Sequence, residues 1–263
     1  MQRSSIRLLN STLKTSTEIY LEYLSYVNKE LPLLSDVFPK SANNVDSVIE
    51  FHKQLCATAT ENGQQCVGIK VVSPHSDPIK YLKGSKPLCA PLFSSMTGKD
   101  KFLAKSCNAQ YVETGICFRL SDTVGGATGE STLHVAPALE ITGSRFPFFA
   151  PTTHDLACDL CGCIGVVEGK PVLLSPSEYD LLLGYHFVLT CDGEPTEIGS
   201  GKLFEGNPLN CLQLAQNYAE QLGFTLNSSH FVLCSSLSPQ SPVRPGVFEA
   251  NWGKFGKVHC TII

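Results

Sequence analysis

Short apolar runs broken by Gly, Pro and Ser turns occupy most of the chain, and helix-type spacing is confined to three places. Ile19, Leu21, Tyr23, Leu24 and Val27 give a partly helical pattern over 16–30, which the two prolines of LPLLSDVFPK (31–40) interrupt. A second helix is predicted from Val45 to about Thr60, with Val45, Val48, Ile49, His52 and Leu55 on one side and Glu61-Asn62-Gly63 as its stop. After Gly63 the period shortens to that of strands: CVGIKVV (66–72), YVETGICFRL (111–120), GVVEGKPVLL (165–174), YHFVLTCDGEP (185–195), HFVLCSSL (230–237) and GKVHCTII (256–263). One helix, NPLNCLQLAQNYAEQLGF (207–224), interrupts them, with Pro208 in its first turn and Gly223 at its end. The pattern predicts an α+β chain: a helical N-terminal cap over 1–63 joined to a β-rich body over 64–263 as one integrated unit.

Composition narrows the function classes. Hydrophobic residues make up 43% and charged residues 17% of 263 positions, with a net charge of −4. No Lys/Arg cluster is interleaved with aromatics, so no nucleic-acid partner is expected. No apolar run approaches the ~20 residues of a spanning helix, so no membrane partner is expected either. The twelve cysteines sit mostly among apolar residues, where cysteine acts as a small hydrophobe. The first 17 residues carry Arg3, Arg7 and Lys14, no acid, and many hydroxyls, a composition shared by mitochondrial leaders and by ordinary basic helix starts. Cytoplasm is the first expectation and mitochondrion the alternative.

Two carboxylates stand out. Glu140 lies within the apolar run of VAPALEITGSRF (135–146) and needs a cation, a metal, hydrogen-bond donors or its own proton. Arg145 could be a purely structural partner. Upstream, the alternation of YVETGICFRL puts Glu113, Gly115 and Cys117 on one strand face. Lys70, inside VGIKVV, is either a snorkelling edge lysine or a buried amine whose pKa burial and a metal would lower. His154, Cys158, Cys161 and Cys163 have spacings that zinc could use, although Cys-rich turns are more often packing.

The motifs PALEITGSR (137–145), EGNPLN (205–210) and PVRPGVFEANWGKFGKVHCTI (242–262) resemble the 2-keto-4-pentenoate hydratase and 4-oxalocrotonate decarboxylase branch of the fumarylacetoacetate hydrolase superfamily. The likeness covers about 45–262. It implies a mixed β-roll of that superfamily's C-terminal type with flanking helices, and a homo-oligomer. It also implies a hydratase that adds water to a 2-hydroxy-2,4-dienoate, handling a small 2-oxo acid on Mg²⁺ or Mn²⁺. Carried over by position, Glu113 and Glu140 would be metal ligands, Lys70 the catalytic acid–base or electrophilic group, and Arg145, Cys161 and Ser235 substrate contacts.

The departures from the family pattern are as informative. Gly115 stands where a second carboxylate of a Glu-x-Glu pair is expected, and Leu88 where an Asp is expected. CDLC (158–161) replaces a polar loop, CSSLSP (234–239) replaces a glycine turn, and Gly246-Val247 replaces Gly-Asp. Three readings therefore follow: a divergent hydratase with a weakened metal site, a degenerate member that binds a small acid or a protein partner, and a zinc- or redox-responsive protein built on 154–163. An occluded cavity between Glu113 and Glu140 would favour the second.

Overall fold

The computed structural model describes residues 15–24, 44–73, 83–84, 86–104, 109–125, 130–147, 150–200 and 209–263. The basic leader-like residues 1–14, the proline-containing stretch 31–40 and residues 205–208 of the EGNPLN motif lie outside them.

Two mixed sheets form the body. The larger runs β2 (Leu88–Phe93), β1 (Cys66–Val72), β10 (Phe231–Ser235), β4 (Ala109–Gly125), β5 (Glu130–Gly143) and β6 (Cys163–Glu168), with β11 (Ser241–Pro242) on β4 and β7 (Val172–Leu174) on β5. The smaller runs β3 (Lys101–Phe102), β13 (Lys257–Ile262), β12 (Gly246–Asn251), β8 (His186–Cys191) and β9 (Glu194–Ser200). Most pairings are antiparallel; β1 with β10 and β13 with β3 are parallel.

The larger sheet is buried on both faces, which explains why its central strands read as nearly continuous apolar runs. On one face, Val112, Ile116, Phe118, Val135, Leu139 and Ile141 pack with the inner face of the smaller sheet. Helix α5 (Leu209–Leu222) joins this layer through Cys211, Ala215, Ala219 and Leu222. The opposite face, carrying Val72, Cys117, Ala136, Ala138 and Leu233, is covered by helices α1 (Ser16–Leu24), α2 (Val45–Glu61) and α3 (Thr153–Cys158). Helix α2 begins where Asn44 accepts a hydrogen bond from the Ser47 amide at 2.9 Å and stops before Gly63, whose φ of +73° suits glycine.

This architecture bears out the expected mixed sheets with a helical cap. The body holds more helix than the single segment expected, because α3 and α4 (Tyr179–Gly184) are also present. Each has six residues, too few for a 3.6 period to show in the sequence. Among the described residues no helix is long and apolar enough to cross a membrane.

Candidate functional site

Strand alternation builds the site. In β5, Ala136, Ala138 and Glu140 share the helix-covered face, and Glu140 stands directly opposite Glu113 of β4 in the antiparallel register. In β1, Lys70 shares its face with Val72. All three side chains are buried, with relative exposures of 2%, 1% and 0% for Lys70, Glu113 and Glu140.

Lys70 Nζ donates to Glu140 Oε1 at 2.5 Å and to the Cys161 carbonyl at 2.8 Å. Cys161 has φ +53° and its neighbour Leu160 φ +50°, the left-handed region that costs non-glycine residues roughly 1–3 kcal/mol each and collects at sites under constraint. Glu113 is held by neutral donors: Ser236 Oγ to Oε2 at 2.8 Å, Thr142 Oγ1 to Oε1 at 3.3 Å, and Gln240 Nε2 to Oε1. Ser236 is also left-handed, at φ +62°.

Burial opposes the Lys70 ammonium, but the Glu140 carboxylate, the Cys163 and Cys161 thiols and Glu113 outweigh it, so its pKa is raised. The lowered pKa expected of a proton-transfer lysine is thus corrected: a counter-ion in contact overrides desolvation. Burial raises the Glu140 carboxyl, and Lys70 is the largest influence that lowers it.

A divalent ion does not fit this arrangement. Both Glu113 oxygens accept from protein donors, and one Glu140 oxygen is taken by Lys70. Glu140 Oε2, without a hydrogen-bond partner of normal geometry, lies beside the Cys163 thiol. Mg²⁺ demands near-octahedral oxygen ligation, which a single oxygen beside an ammonium does not provide. No group of three or more His, Cys, Asp or Glu suited to a metal occurs among the described residues. The carboxylate that the resemblance leads one to expect at position 115 has no room: a Cβ there would lie 2.7 Å from the Cys234 carbonyl oxygen and 3.1 Å from Leu233 Cδ1, so β4 and β10 approach too closely for a side chain. The space left beside Lys70, Glu113, Thr142, Cys161, Ser236 and Gln240 is about 30 Å³.

The remaining expected residues are distributed differently. Arg145 is not the partner of Glu140; it donates to Asp159 Oδ1 at 3.1 Å and to the Cys163 carbonyl at 2.6 Å, and its backbone amide binds Asp159 Oδ2. Tyr20 of α1 donates to the same carboxylate at 2.9 Å, so this buried pair ties the N-terminal helix to the body. The GSR turn carries Arg145 past the end of β5, onto the Asp159 side of the fold. Cys161 lines the small cavity and meets Lys70 through its carbonyl, whereas Ser235 is fully buried with its hydroxyl unpartnered. His154 lies in a different hollow, beside Tyr218 and Lys86, and forms no zinc cluster with the cysteines. Sequence reasoning missed Thr142, Ser236, Gln240 and Asp159; only Asp159, an acid inside an apolar Cys-rich turn, carried a visible signal.

No family model matches the chain. It is 35% identical over 254 residues, covering 95% of each sequence, to REH2-associated factor 2 of Trypanosoma brucei brucei. It is 28% identical over 218 residues, 78% of this chain and 82% of the relative, to a Pseudomonas 4-oxalocrotonate decarboxylase. The structure of 4-oxalocrotonate decarboxylase from Pseudomonas putida G7 complexed with magnesium and adipate superposes with a TM-score of 0.75 at 18% identity, over 94% of this chain and 95% of that one. The calcium and acetate complex gives 0.74, over 97% and 100%. Those two structures hold magnesium with adipate and calcium with acetate. The chain belongs to the family of REH2-associated factor 2, and its fold is the one seen in 4-oxalocrotonate decarboxylase.

Proposed function

We propose that this chain is a catalytically degenerate member of the superfamily that uses the inherited fold to associate with a protein partner. The observation that carries this reading is the closure of the ancestral site. Lys70 and Glu140 satisfy each other at 2.5 Å, and the cavity beside them, about 30 Å³, has room for little more than a water. Pockets that take small-molecule ligands are roughly ten times larger. The sequence relative over nearly the full length is named as an associated factor rather than as an enzyme. A counterpart of REH2 from the same organism is therefore the partner to test. Purified chain and partner should co-elute as a complex, and the chain alone should not turn over 2-hydroxypentadienoate or oxalocrotonate with Mg²⁺ or Mn²⁺. Metal-dependent turnover without complex formation would reverse the assignment.

One observation favours a second reading. Lys70, Glu113 and Glu140 still converge from three strands, and Lys70 holds only one of the two Glu140 oxygens. Under that reading the chain is a hydratase-like lyase, homo-oligomeric as the family resemblance implies, which takes a small 2-oxo acid with a divalent ion once the Lys70–Glu140 pair opens. The same turnover assay decides between the two.

A further inference from the structure

Helix α2 and β1 are joined by residues 62–65 alone, so the chain doubles back on itself. This brings Cys56, about one and a half turns before the end of α2, against Cys66, the first residue of β1. Cys56 and Cys66 line the same surface hollow, and the Cys66 thiol donates to the Gly68 carbonyl at 3.5 Å. Cys66 stands at a register break in the β1–β2 ladder, where Cys66 opposes Phe93 and Gly68 opposes Leu92. Such bulges re-aim side chains. Both residues are part-buried and line one open surface hollow of about 500 Å³, together with Lys53, Thr60 and His230.

We propose that Cys56 and Cys66 form a thiol–disulfide site, in which Cys66 attacks a small hydroperoxide admitted by the hollow and Cys56 resolves the product to an intramolecular disulfide. In the first step the Cys66 thiolate takes the distal oxygen of the peroxide. The O–O bond breaks, a sulfenic acid forms, and the leaving alkoxide or hydroxide takes up a proton. In the second, Cys56 sulfur attacks Cys66 sulfur, the S–S bond forms, and the sulfenic oxygen departs as water with the Cys56 proton. Two electrons pass from the two thiols to the peroxide.

The surroundings suit these roles. Hydrogen bonding from Cys56, helped by backbone hydrogen bonds at Gly68 and Leu92, holds the Cys66 thiol below its ordinary range against the effect of burial, while Cys56 is pushed up. The deeply buried thiols of Cys117, Cys158 and Cys163 are pushed up by burial, which makes them poor nucleophiles.

The test uses the full-length reduced protein. Timed alkylation with iodoacetamide at pH 7, read by peptide mass spectrometry, should modify Cys66 at least about tenfold faster than Cys117, Cys158 or Cys163. Equimolar hydrogen peroxide should link the peptides containing Cys56 and Cys66. In Cys56→Ala, alkylation of Cys66 should slow at pH 7, and peroxide should leave a sulfenic acid on Cys66 that dimedone traps. Equal alkylation rates in the wild type would overturn the proposal. So would a first disulfide elsewhere, for instance between Cys211 and Cys234, whose sulfurs are 3.1 Å apart. Wild-type alkylation and linkage stand whether or not the variant folds.

Discussion

Replacing Lys70 with Met keeps most of the side-chain volume and removes the charge, leaving Glu140 buried with no cation. Exposures of 2% and 0% rule out rescue by solvent. Breaking a buried pair by removing one partner costs roughly 3–5 kcal/mol, unless the orphaned group can neutralise itself. Glu140 can, by taking a proton. From an ordinary carboxyl pKa of 4.5, protonation at pH 7 spans 2.5 pH units, or about 3 kcal/mol at roughly 1.4 kcal/mol per unit. The loss in Lys70→Met should therefore be about 3 kcal/mol at pH 7. It should shrink by about 1.4 kcal/mol for each unit of acidification, because the folded state of the variant holds a proton that the unfolded state does not. Lys70→Met/Glu140→Gln, which has no carboxyl to protonate, should lose that pH dependence and regain much of the stability. Urea unfolding of the wild type and the two variants at pH 7, 6 and 5.5 measures each quantity. A Lys70→Met loss below about 1 kcal/mol at pH 7, or one that does not change with pH, would show that the pair is not the electrostatic centre described.

Two further outcomes follow from other buried groups. Burial holds the His52 pKa down, to about 3, so its contribution to stability is present above the unfolded value of 6.5 and is lost as pH falls toward 3. About 2 kcal/mol should be lost between pH 7 and 5 in the wild type and retained in His52→Asn, compared by thermal or urea unfolding; parallel losses would contradict this. Gly115→Glu, which restores the family's missing acid, should destabilise by roughly 1–3 kcal/mol rather than create a metal site. Its Cβ meets the Cys234 carbonyl at 2.7 Å, and a gain in Mg²⁺ affinity at unchanged stability would refute that contact.

Much of the site's placement was legible in the sequence, because strand alternation is a local rule. Val112, Ile116 and Phe118 on one face of β4, with Cys117 on the other, follow the 111–120 pattern, and this sets Glu113 where Glu140 can stand opposite it. Lys70, a cation in an apolar strand, was visible for the same reason. What could not be read was which long-range partner each charge takes. Arg145 lies five residues after Glu140 and yet pairs with Asp159, because the chain turns away after Gly143 while α3 and the turn at 160–162 bring Asp159 back to it. Two of the three donors on Glu113 come from residues 236–240, whose Ser and Gln look like any loop until Ser236 takes its left-handed conformation. Gly115 read as a deletion of function, and only the sheet order shows that it also permits β10 to lie against β4.

Lys70 and neutral donors hold the two carboxylates, Glu140 and Glu113, that the proposed function treats as former metal ligands. Calorimetric titration of Mg²⁺ into the full-length protein, with turnover of 2-hydroxypentadienoate followed on the same sample, tests it most directly. No saturable heat is expected up to millimolar metal, and no metal-dependent turnover. Stoichiometric binding accompanied by turnover would contradict it.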